Sequence, residues 1–283
     1  MKVLTTIPET RAAARALKAS EKKLGLVPTM GALHEGHLSL VRLAKQQCDA
    51  VAASIFVNPK QFGPNEDFGK YPRAFERDRH MLEAEGVDLL FAPTVEEMYP
   101  SGSTAFVNVE GLSERLDGAS RPGHFRGVTT VVSKLFHIVE PGKAFFGQKD
   151  AAQVAIIKRM ARDLDLPLEI VVGPIVREPD GLAMSSRNAY LDAKQRKQAL
   201  VLSRALKAVE AEIHAGLLDT NRLVSTAKQI FAKESEVRVD YIAVVNPHTL
   251  EPVNDVSKGA LIAMAAYVGS TRLIDNVVSG AKK

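Results

Sequence analysis

The chain has 283 residues but one cysteine, and no apolar run approaches the ~20 residues that span a bilayer. Cys48 has no partner within the chain, which excludes an internal disulfide and fits a reducing cytosol. The start of the chain, from Met1 to Glu9, holds too few apolar residues for a signal peptide. We therefore expect a cytoplasmic protein with no membrane partner, in which Cys48 packs within a helix rather than reacts.

The excess of positive over negative charge is also small, and several familiar motifs are absent. The net charge is +4 with a pI near 9.1, an excess that permits nucleic-acid binding without indicating it and that suits anionic substrates. The sequence contains no G-x-x-x-x-G-K-[ST], no G-x-G-x-x-G and no G-x-S-x-G motif. His34 and His37 do not form the H-E-x-x-H pattern of zinc proteases, and one cysteine makes structural zinc improbable.

Short apolar runs alternate with helical patterns through the first 172 residues. A hydrophobic content of 46% predicts a packed core, and the length indicates one large domain or two moderate ones. The alternation predicts a parallel sheet with right-handed crossovers, and ligands bind at the carboxyl ends of such strands. The predicted strands are 24–27, 50–57, 87–92, 143–146 and 168–172, and the predicted helices are 8–23, a segment ending near 47, 72–86, 128–139 and 151–164.

The pattern changes after Gly173 and Pro174. A turn-rich segment leads into two amphipathic helices, 193–215 and 220–232, and three strand-like runs, 237–245, 260–268 and 272–274. We therefore predict an α/β chain: a Rossmann-like parallel-sheet nucleotide-binding domain at 1–175, followed by a smaller α+β domain at 176–283.

Two histidines lie where the first predicted strand passes through a tight loop into a helix. A helix start presents unpaired N–H groups and partial positive charge, so it holds phosphate. His34 and His37 are three residues apart and share one side of the helix, with Gly36 allowing close approach of a nucleotide. Neutral imidazoles there could donate hydrogen bonds to a departing pyrophosphate. A solvated helix start with two incidental histidines is the alternative.

Neutral amides and phosphate-binding residue types follow other predicted strands. Asn58, Gln61 and Gln153 could pair with the hydroxyl or carboxylate of a small acid, although loop amides are usually solvated. Lys149 could neutralise phosphate, and the nearby Asp150 could equally be an ordinary helix cap. The segment Met184–Arg187 offers two hydroxyls and a guanidinium for triphosphate oxygens, or merely the cap of the next helix.

The run Val27–His37 resembles the HxGH motif of the nucleotidyltransferase superfamily, which includes the class I aminoacyl-tRNA synthetases. Together with Phe56–Phe62, Arg121–Gly127, Phe145–Asp150 and Met184–Arg187, it is similar to the pantothenate synthetase (pantoate–beta-alanine ligase) family over nearly the whole chain.

The resemblance implies a role for each matching position. His34, His37 and Lys149 would be catalytic, with His37 as a proton donor, and Gln61, Gln153 and Asn58 would bind pantoate or beta-alanine. Asp150 would bond the ATP ribose or help to hold Mg²⁺, and the protein ligand of the metal stays unknown. The implied ATP-binding residues are Met30, Gly31, Ala32, Leu33, His34, Glu35, Gly36, His37, Gly147, Gln148, Lys149, Asp150, Val176, Met184, Ser185, Ser186 and Arg187.

The implied reaction uses ATP and Mg²⁺ in two steps. The pantoate carboxylate attacks the α-phosphorus to give pantoyl adenylate and pyrophosphate, and beta-alanine then gives pantothenate and AMP. The resemblance also implies a homodimer, a second domain that closes over the nucleotide, and no nucleic-acid partner. Two rivals are another HxGH nucleotidyltransferase acting on a different small acid and a non-catalytic nucleotide- or RNA-binding protein.

Overall fold

The apolar runs of the first 174 residues form one six-stranded parallel sheet in the computed structural model, which describes residues 1–64 and 66–280. The spatial order is β1-β4-β3-β2-β5-β6, which confirms the predicted parallel sheet. A parallel sheet is covered on both faces, and β2 and β3 are accordingly buried almost throughout. The strands β1 to β6 span Lys2–Leu4, Leu24–Thr29, Ala50–Ile55, Leu89–Phe91, Lys143–Gly147 and Glu169–Gly173.

Helices connect these strands. The sequence predicted the long helices to within a few residues but not the two four-residue helices α4 and α5 or the three-residue strand β1, which are too short to show a periodic pattern. Helix α6 begins four residues before its predicted start at 128. The helices α1 to α7 span Ile7–Ala19, Glu35–Gln47, Phe75–Ala84, Val95–Met98, Asp117–Ser120, His124–Val139 and Ala151–Asp163.

A cluster of apolar side chains holds α2 and α3 against the sheet. Val27 of β2, Val41 of α2, Leu82 of α3, Leu90 of β4 and Phe145 of β5 are all fully buried members of it. Burying one such side chain contributes roughly 1.5–3 kcal/mol, so this cluster fixes where α2 starts above the sheet edge.

The second sheet is antiparallel, with β8 between β7 and β9. Its strands are Val237–Val245, Ala260–Val268 and Thr271–Ser279, and helices α8 to α10 span Ala193–Ala199, Val201–His214 and Thr220–Phe231. The central strand β8 is buried at eight of nine positions because helices pack on it and sheet partners flank it. The predicted α+β arrangement is confirmed, although the predicted helix 193–215 is divided at Leu200.

The chain divides into two compact units by internal contacts. The first contains Met1–Gly147 and Ile156–Pro174, and the second contains Gln148–Ala155 and Ile175–Lys283. The sequence predicted domains 1–175 and 176–283, whereas the internal contacts place the segment 148–155 in the second unit. Among the described residues, the helices are all too short or too polar to cross a bilayer.

Candidate active site

The order of the strands reverses beside β2. Successive strands β2, β3 and β4 run outward in one direction, whereas β5 and β6 lie on the other side of β2. In open parallel sheets, ligands bind outside the carboxyl ends of the strands at such a reversal. The segment that follows β2 contains His34 and His37, so the topology points independently to the HxGH loop.

A buried carboxylate shapes the loop between β2 and α2. Asp78 of α3 is 1% exposed and accepts hydrogen bonds from the main-chain N–H of Ala32 (2.6 Å) and of Leu33 (2.9 Å). Gly31 and Ala32 both take positive φ, 82° and 50°, which Ala32 adopts only under constraint. Asp78 therefore fixes the turn that delivers His34 to the start of α2.

The two histidines cap their own helix. The Nδ1 of His34 accepts from the N–H of Gly36 (3.1 Å), and the Nδ1 of His37 accepts from the N–H of His34 (3.3 Å). The ring centroids lie 4.1 Å apart. Because a main-chain N–H can only donate, both Nδ1 atoms are acceptors, and each neutral ring carries its proton on Nε2. The pair thus consists of two oriented N–H donors at a positive helix end.

Two amide side chains follow β3, those of Asn58 and Gln61. The first has all of its hydrogen-bonding positions filled, and the second does not. Asn58, 1% exposed, donates to Gln61 Oε1 (3.0 Å) and to the Gly127 carbonyl (3.1 Å). Its Oδ1 accepts from the Lys60 N–H (3.2 Å) and the Tyr99 hydroxyl (2.8 Å). Asn58 has no remaining hydrogen-bonding capacity, so it orients Gln61, whose Oε1 is occupied and whose Nε2 is the remaining donor group.

A chain of hydrogen bonds from Glu66 through Arg121 and His124 holds the main chain of Gln61. Arg121 bonds Glu66 with both Nε (2.8 Å) and Nη2 (2.6 Å), and its Nη1 lies 3.0 Å from His124 Nε2. His124 Nδ1 in turn lies 2.8 Å from the Gln61 carbonyl and donates to it. Burial by itself raises the pKa of Glu66, but the hydrogen bonds and charge of Arg121 outweigh it and hold that pKa below its ordinary value. The segment Arg121–Gly127, which the family resemblance includes, thus supports Gln61.

In the second unit, one asparagine of β9 clamps the segment after β5. Asn276 donates to the carbonyls of Gln148 (3.0 Å) and Lys149 (2.9 Å), and its Oδ1 accepts from Gln148 Nε2 (3.0 Å). Asn276 is 3% exposed. Its neighbour Asp275 accepts a two-pronged pair from Arg177, at 2.6 and 3.0 Å. Successive residues of one strand therefore anchor Gln148 and Lys149 and the residue that follows Val176.

The Ser185 segment is a capped turn in the same unit. Ser185 Oγ accepts from the Arg187 N–H (3.2 Å) at the start of a short 3-10 helix, Ser186–Tyr190. Met184 N–H donates to the Val176 carbonyl (3.0 Å), so two predicted ATP positions are directly bonded. Lys149 and Ser185 also line one cavity of about 10 Å³, the size of a single water.

The predicted site residues fall into one group in each unit. The structure brings together Lys149 and Ser185, Val176 and Met184, Gln61 and Asn58, and the two histidines, as described above. Gln153 is half-buried in the first turn of α7. The first unit holds Met30 to His37, Asn58, Gln61 and Gly147, and the second holds Gln148, Lys149, Asp150, Gln153, Val176, Met184, Ser185, Ser186 and Arg187.

Sequence reasoning missed Asp78, Tyr99, Asp275 and Asn276. One indication of Asp78 was available, because it precedes the apolar Leu82 by four residues and so shares the buried face of α3. Tyr99 and Asn276 gave no such indication, since their partners lie 41 and 128 residues away in the chain. Among the described residues, no three His, Cys, Asp or Glu side chains are grouped to hold a metal ion.

Comparison with known proteins adds the chemical context. A family model described as pantoate-beta-alanine ligase matches residues 2–278. Relatives named pantothenate synthetase from Acidobacterium capsulatum and Koribacter versatilis are 63% and 58% identical, over 99% and 98% of this chain and 97% and 96% of theirs. The crystal structure of pantothenate synthetase from Thermus thermophilus matches with a TM-score of 0.93 and 48% identity, over 98% of this chain and 99% of that one. A pantoate-beta-alanine ligase from Francisella tularensis, complexed with beta-gamma ATP and beta-alanine, matches with a TM-score of 0.80 and 34% identity over the whole of both chains.

Proposed function

Because this chain belongs to the pantoate–beta-alanine ligase family, whose members form a C–N bond, we propose that it makes pantothenate through a pantoyl-adenylate intermediate. D-pantoate and ATP would give the adenylate and pyrophosphate, and beta-alanine would then give pantothenate and AMP. The observation that carries the proposal is the pair of main-chain-oriented imidazoles, His34 and His37, at the start of α2.

In the first step, a pantoate carboxylate oxygen attacks the α-phosphorus of ATP. The bond from that phosphorus to the bridging oxygen breaks, and the bond pair leaves with pyrophosphate. Oriented donors are most effective where charge develops, so the Nε2–H groups of His34 and His37 would stabilise the leaving oxygens. Lys149, Ser185, Ser186 and Arg187 would bind phosphate, with the guanidinium of Arg187 able to bind two oxygens at once.

The acid is held by amides in this proposal. Gln61 keeps its Nε2 group for the substrate because Asn58 occupies its Oε1. Gln153 would supply the second amide. Asn58 is the member of the predicted substrate set whose side chain is saturated, and we assign it to positioning Gln61 rather than to contact with substrate.

In the second step, the beta-alanine amine attacks the acyl carbon of the adenylate. A C–N bond forms, the bond from the acyl carbon to the phosphate oxygen breaks, AMP leaves, and the amine loses a proton. No covalent bond to the protein is needed, since positioning alone can contribute ~7–11 kcal/mol. The beta-alanine complex of the Francisella relative supports the same second substrate here.

Mg²⁺ would enter with ATP and neutralise triphosphate charge. The predicted ATP set contains two carboxylates, and one of them, Glu35, is paired with Arg42. The other, Asp150, has a side chain that is about half exposed, with Lys149 Nζ 3.5 Å away. That exposure leaves Asp150 able to reach either a hydrated Mg²⁺ or the ribose.

We also propose a cytoplasmic homodimer, as the family resemblance implies. Light scattering coupled to gel filtration would give twice the chain mass of 30.7 kDa. A monomer at micromolar concentration would contradict it.

The test of the function is pyrophosphate release from ATP and Mg²⁺, with and without D-pantoate and beta-alanine. We expect release that depends on pantoate, AMP formation on adding beta-alanine, and a loss of about 100-fold or more in His37→Ala. His80→Ala is the matched control, because His80 is exposed on α3 and, among the residues that the structure describes, its ring bonds only the Glu76 carbonyl of its own helix. Folded protein without pantoate dependence would overturn the proposal. Adenylate formation that beta-alanine leaves unchanged would indicate a nucleotidyltransferase that stops at the first step.

A further inference from the structure

A large cavity lies at the edge of the parallel sheet where the strands begin. It has a volume of about 720 Å³ and is lined by the first residues of β2 and β5, Leu24 and Lys143, and by Leu168, just before β6. The catalytic candidates follow the carboxyl ends of the strands, and a six-residue strand such as β2 separates the two edges by roughly 17 Å. The cavity is therefore not part of the site described above.

The floor of this cavity is apolar. Leu24, Phe136 and Pro141 line it and are buried, while Leu166 and Leu168 form a partly buried side. Small-molecule sites in proteins have volumes of about 300–1,000 Å³, apolar walls and a few polar groups that set orientation. The volume and the floor both fit that description.

The polar lining is cationic. Lys18, Lys22, Lys23 and Lys143 line the cavity against one carboxylate, Glu140. Lys18 is paired with Glu140, and Lys143 with Glu169 at 2.9 Å. Lys22 and Lys23 are exposed at the rim, and within the described part of the chain neither ammonium has a carboxylate at ion-pair distance. The Asp49 carboxylate next to this region accepts from the main-chain N–H of Lys23, not from its ammonium.

We propose that this cavity binds a small organic anion with an apolar body, such as a medium-chain carboxylate. The tail would lie on Leu24, Phe136 and Pro141, and the anionic head would meet the ammonium groups of Lys22 and Lys23. The site binds rather than reacts: Cys48 on its wall is the one thiol, and burial raises the pKa of that thiol above its ordinary value. This inference does not depend on the proposed ligase activity.

Cys48 supplies a local readout, because it is the single cysteine of the chain. The experiment measures the rate of Cys48 alkylation by a maleimide, followed by intact mass, at increasing octanoate concentration. We expect saturable protection with a dissociation constant in the millimolar range or below, as a ligand of this size allows. Acetate, which has no tail, and octanol, which has no charge, should leave the rate unchanged.

Two variants test the head and the tail separately. Replacing both Lys22 and Lys23 by Gln should weaken octanoate binding at least about tenfold, whereas Lys228→Gln, an exposed lysine of the second unit, should not. Gly142→Phe should abolish binding measured by calorimetry. Within the described part of the chain, a Cβ added at Gly142 meets only the Leu24 carbonyl, at 3.9 Å, and the position has no positive φ, so the variant should fold.

Three results would overturn the proposal. One is an alkylation rate that octanoate does not change, and another is equal protection by octanol. The third is unaltered octanoate affinity in the double lysine variant. These experiments measure the alkylation rate of Cys48 or the heat of octanoate binding, and none of them measures pyrophosphate release. A negative result would therefore contradict the proposed anion site without contradicting the proposed ligase activity.

Discussion

At the scale of single residues, the buried Asp78 holds the loop that precedes the candidate catalytic histidines. Asp78→Asn replaces one carboxylate oxygen by an NH₂ group, which cannot accept a hydrogen bond. The main-chain N–H of Ala32 or of Leu33 would then lose its acceptor. Leaving one buried donor unsatisfied costs about 1–3 kcal/mol, and a loop shift of this kind lowers turnover by roughly 10- to 100-fold. Thermal unfolding and steady-state kinetics measure the two effects.

The control for Asp78→Asn is Glu76→Gln on the same helix. Glu76 is 69% exposed and is paired with Arg79, so its loss should cost under about 1 kcal/mol and leave turnover unchanged. Equal kinetics for the two variants would show that Asp78 does not position the loop.

A second residue-scale prediction concerns Asn276. Asn276→Ala removes two donors from the carbonyls of Gln148 and Lys149, so the KM for ATP should rise about tenfold or more while pantoate binding is affected less. Asn246→Ala is a matched control, because Asn246 also caps main-chain groups, of His248 and Thr249, in a loop outside the predicted site. An equal change in the KM for ATP in both variants would refute the assignment.

Candidate residues for the site could be named from the sequence, but the residues that hold them in place could not. His34 and His37 lie three apart in one motif, so local spacing brought them together. Asp78 lies more than 40 residues from the loop that it holds, and a lone aspartate on a helix has many interpretations. Asn58 was predicted as a substrate ligand, because an amide in a loop looks the same whether its bonds go to a substrate or to Gly127 and Tyr99.

At the scale of elements, helix α6 packs unusually close to a short 3-10 helix, Pro59–Gln61. A Cβ at Gly127 would lie 2.2 Å from the Lys60 carbonyl oxygen and 2.6 Å from the Gln61 Cα. Gly127→Ala must therefore displace one element, and we expect a raised KM for pantoate together with a stability loss of about 1–3 kcal/mol. Gly69→Ala is the control, since an added Cβ there has no atom of residues 1–64 or 66–280 within 4 Å. An unchanged KM in Gly127→Ala would contradict this role of the packing.

The contact between Glu66 and Arg121 predicts a dependence of stability on pH. The pKa of Glu66 is lower in the folded protein than its ordinary value of 4.5, so the pair stabilises fully above that value and loses its effect as pH falls through the folded pKa. Glu66→Gln should thus be less stable than the parent at pH 7 and converge with it in acid, as measured by urea unfolding. Glu236→Gln, which removes an exposed partner of Lys194, should show little difference at any pH. If the free energies of unfolding of the parent and of Glu66→Gln differed by the same amount at every pH, the link between the Glu66 pKa and stability would be ruled out.

Long elements were predictable and short ones were not. Strands β7 and β8 matched their predicted bounds, because nine residues give the pattern room to repeat. Strand β9 runs to Ser279, whereas the prediction ended at 274, since polar residues such as Asp275 and Asn276 interrupt its apolar pattern. Their burial comes from bonds to Arg177 and Gln148, which no local pattern contains.

At the scale of the whole molecule, the predicted ATP residues are divided between the two compact units. If both groups bind one nucleotide, ATP with Mg²⁺ should slow amide hydrogen exchange in 30–37 and 184–188 over the same concentration range. Arg187→Ala should weaken protection of both segments, while Arg204→Ala, which removes an exposed pair with Glu234, should weaken neither. Protection of one segment alone would refute a shared nucleotide.

Asp78 and Asn276 both act on main-chain atoms, Asp78 on two N–H groups and Asn276 on two carbonyls. A hydrogen bond to the main chain does not require a particular side chain at the residue that it holds. The shape of each loop therefore depends on one distant polar residue as well as on its own sequence. A substitution at Asp78 or Asn276 should then alter a loop in which every residue is unchanged.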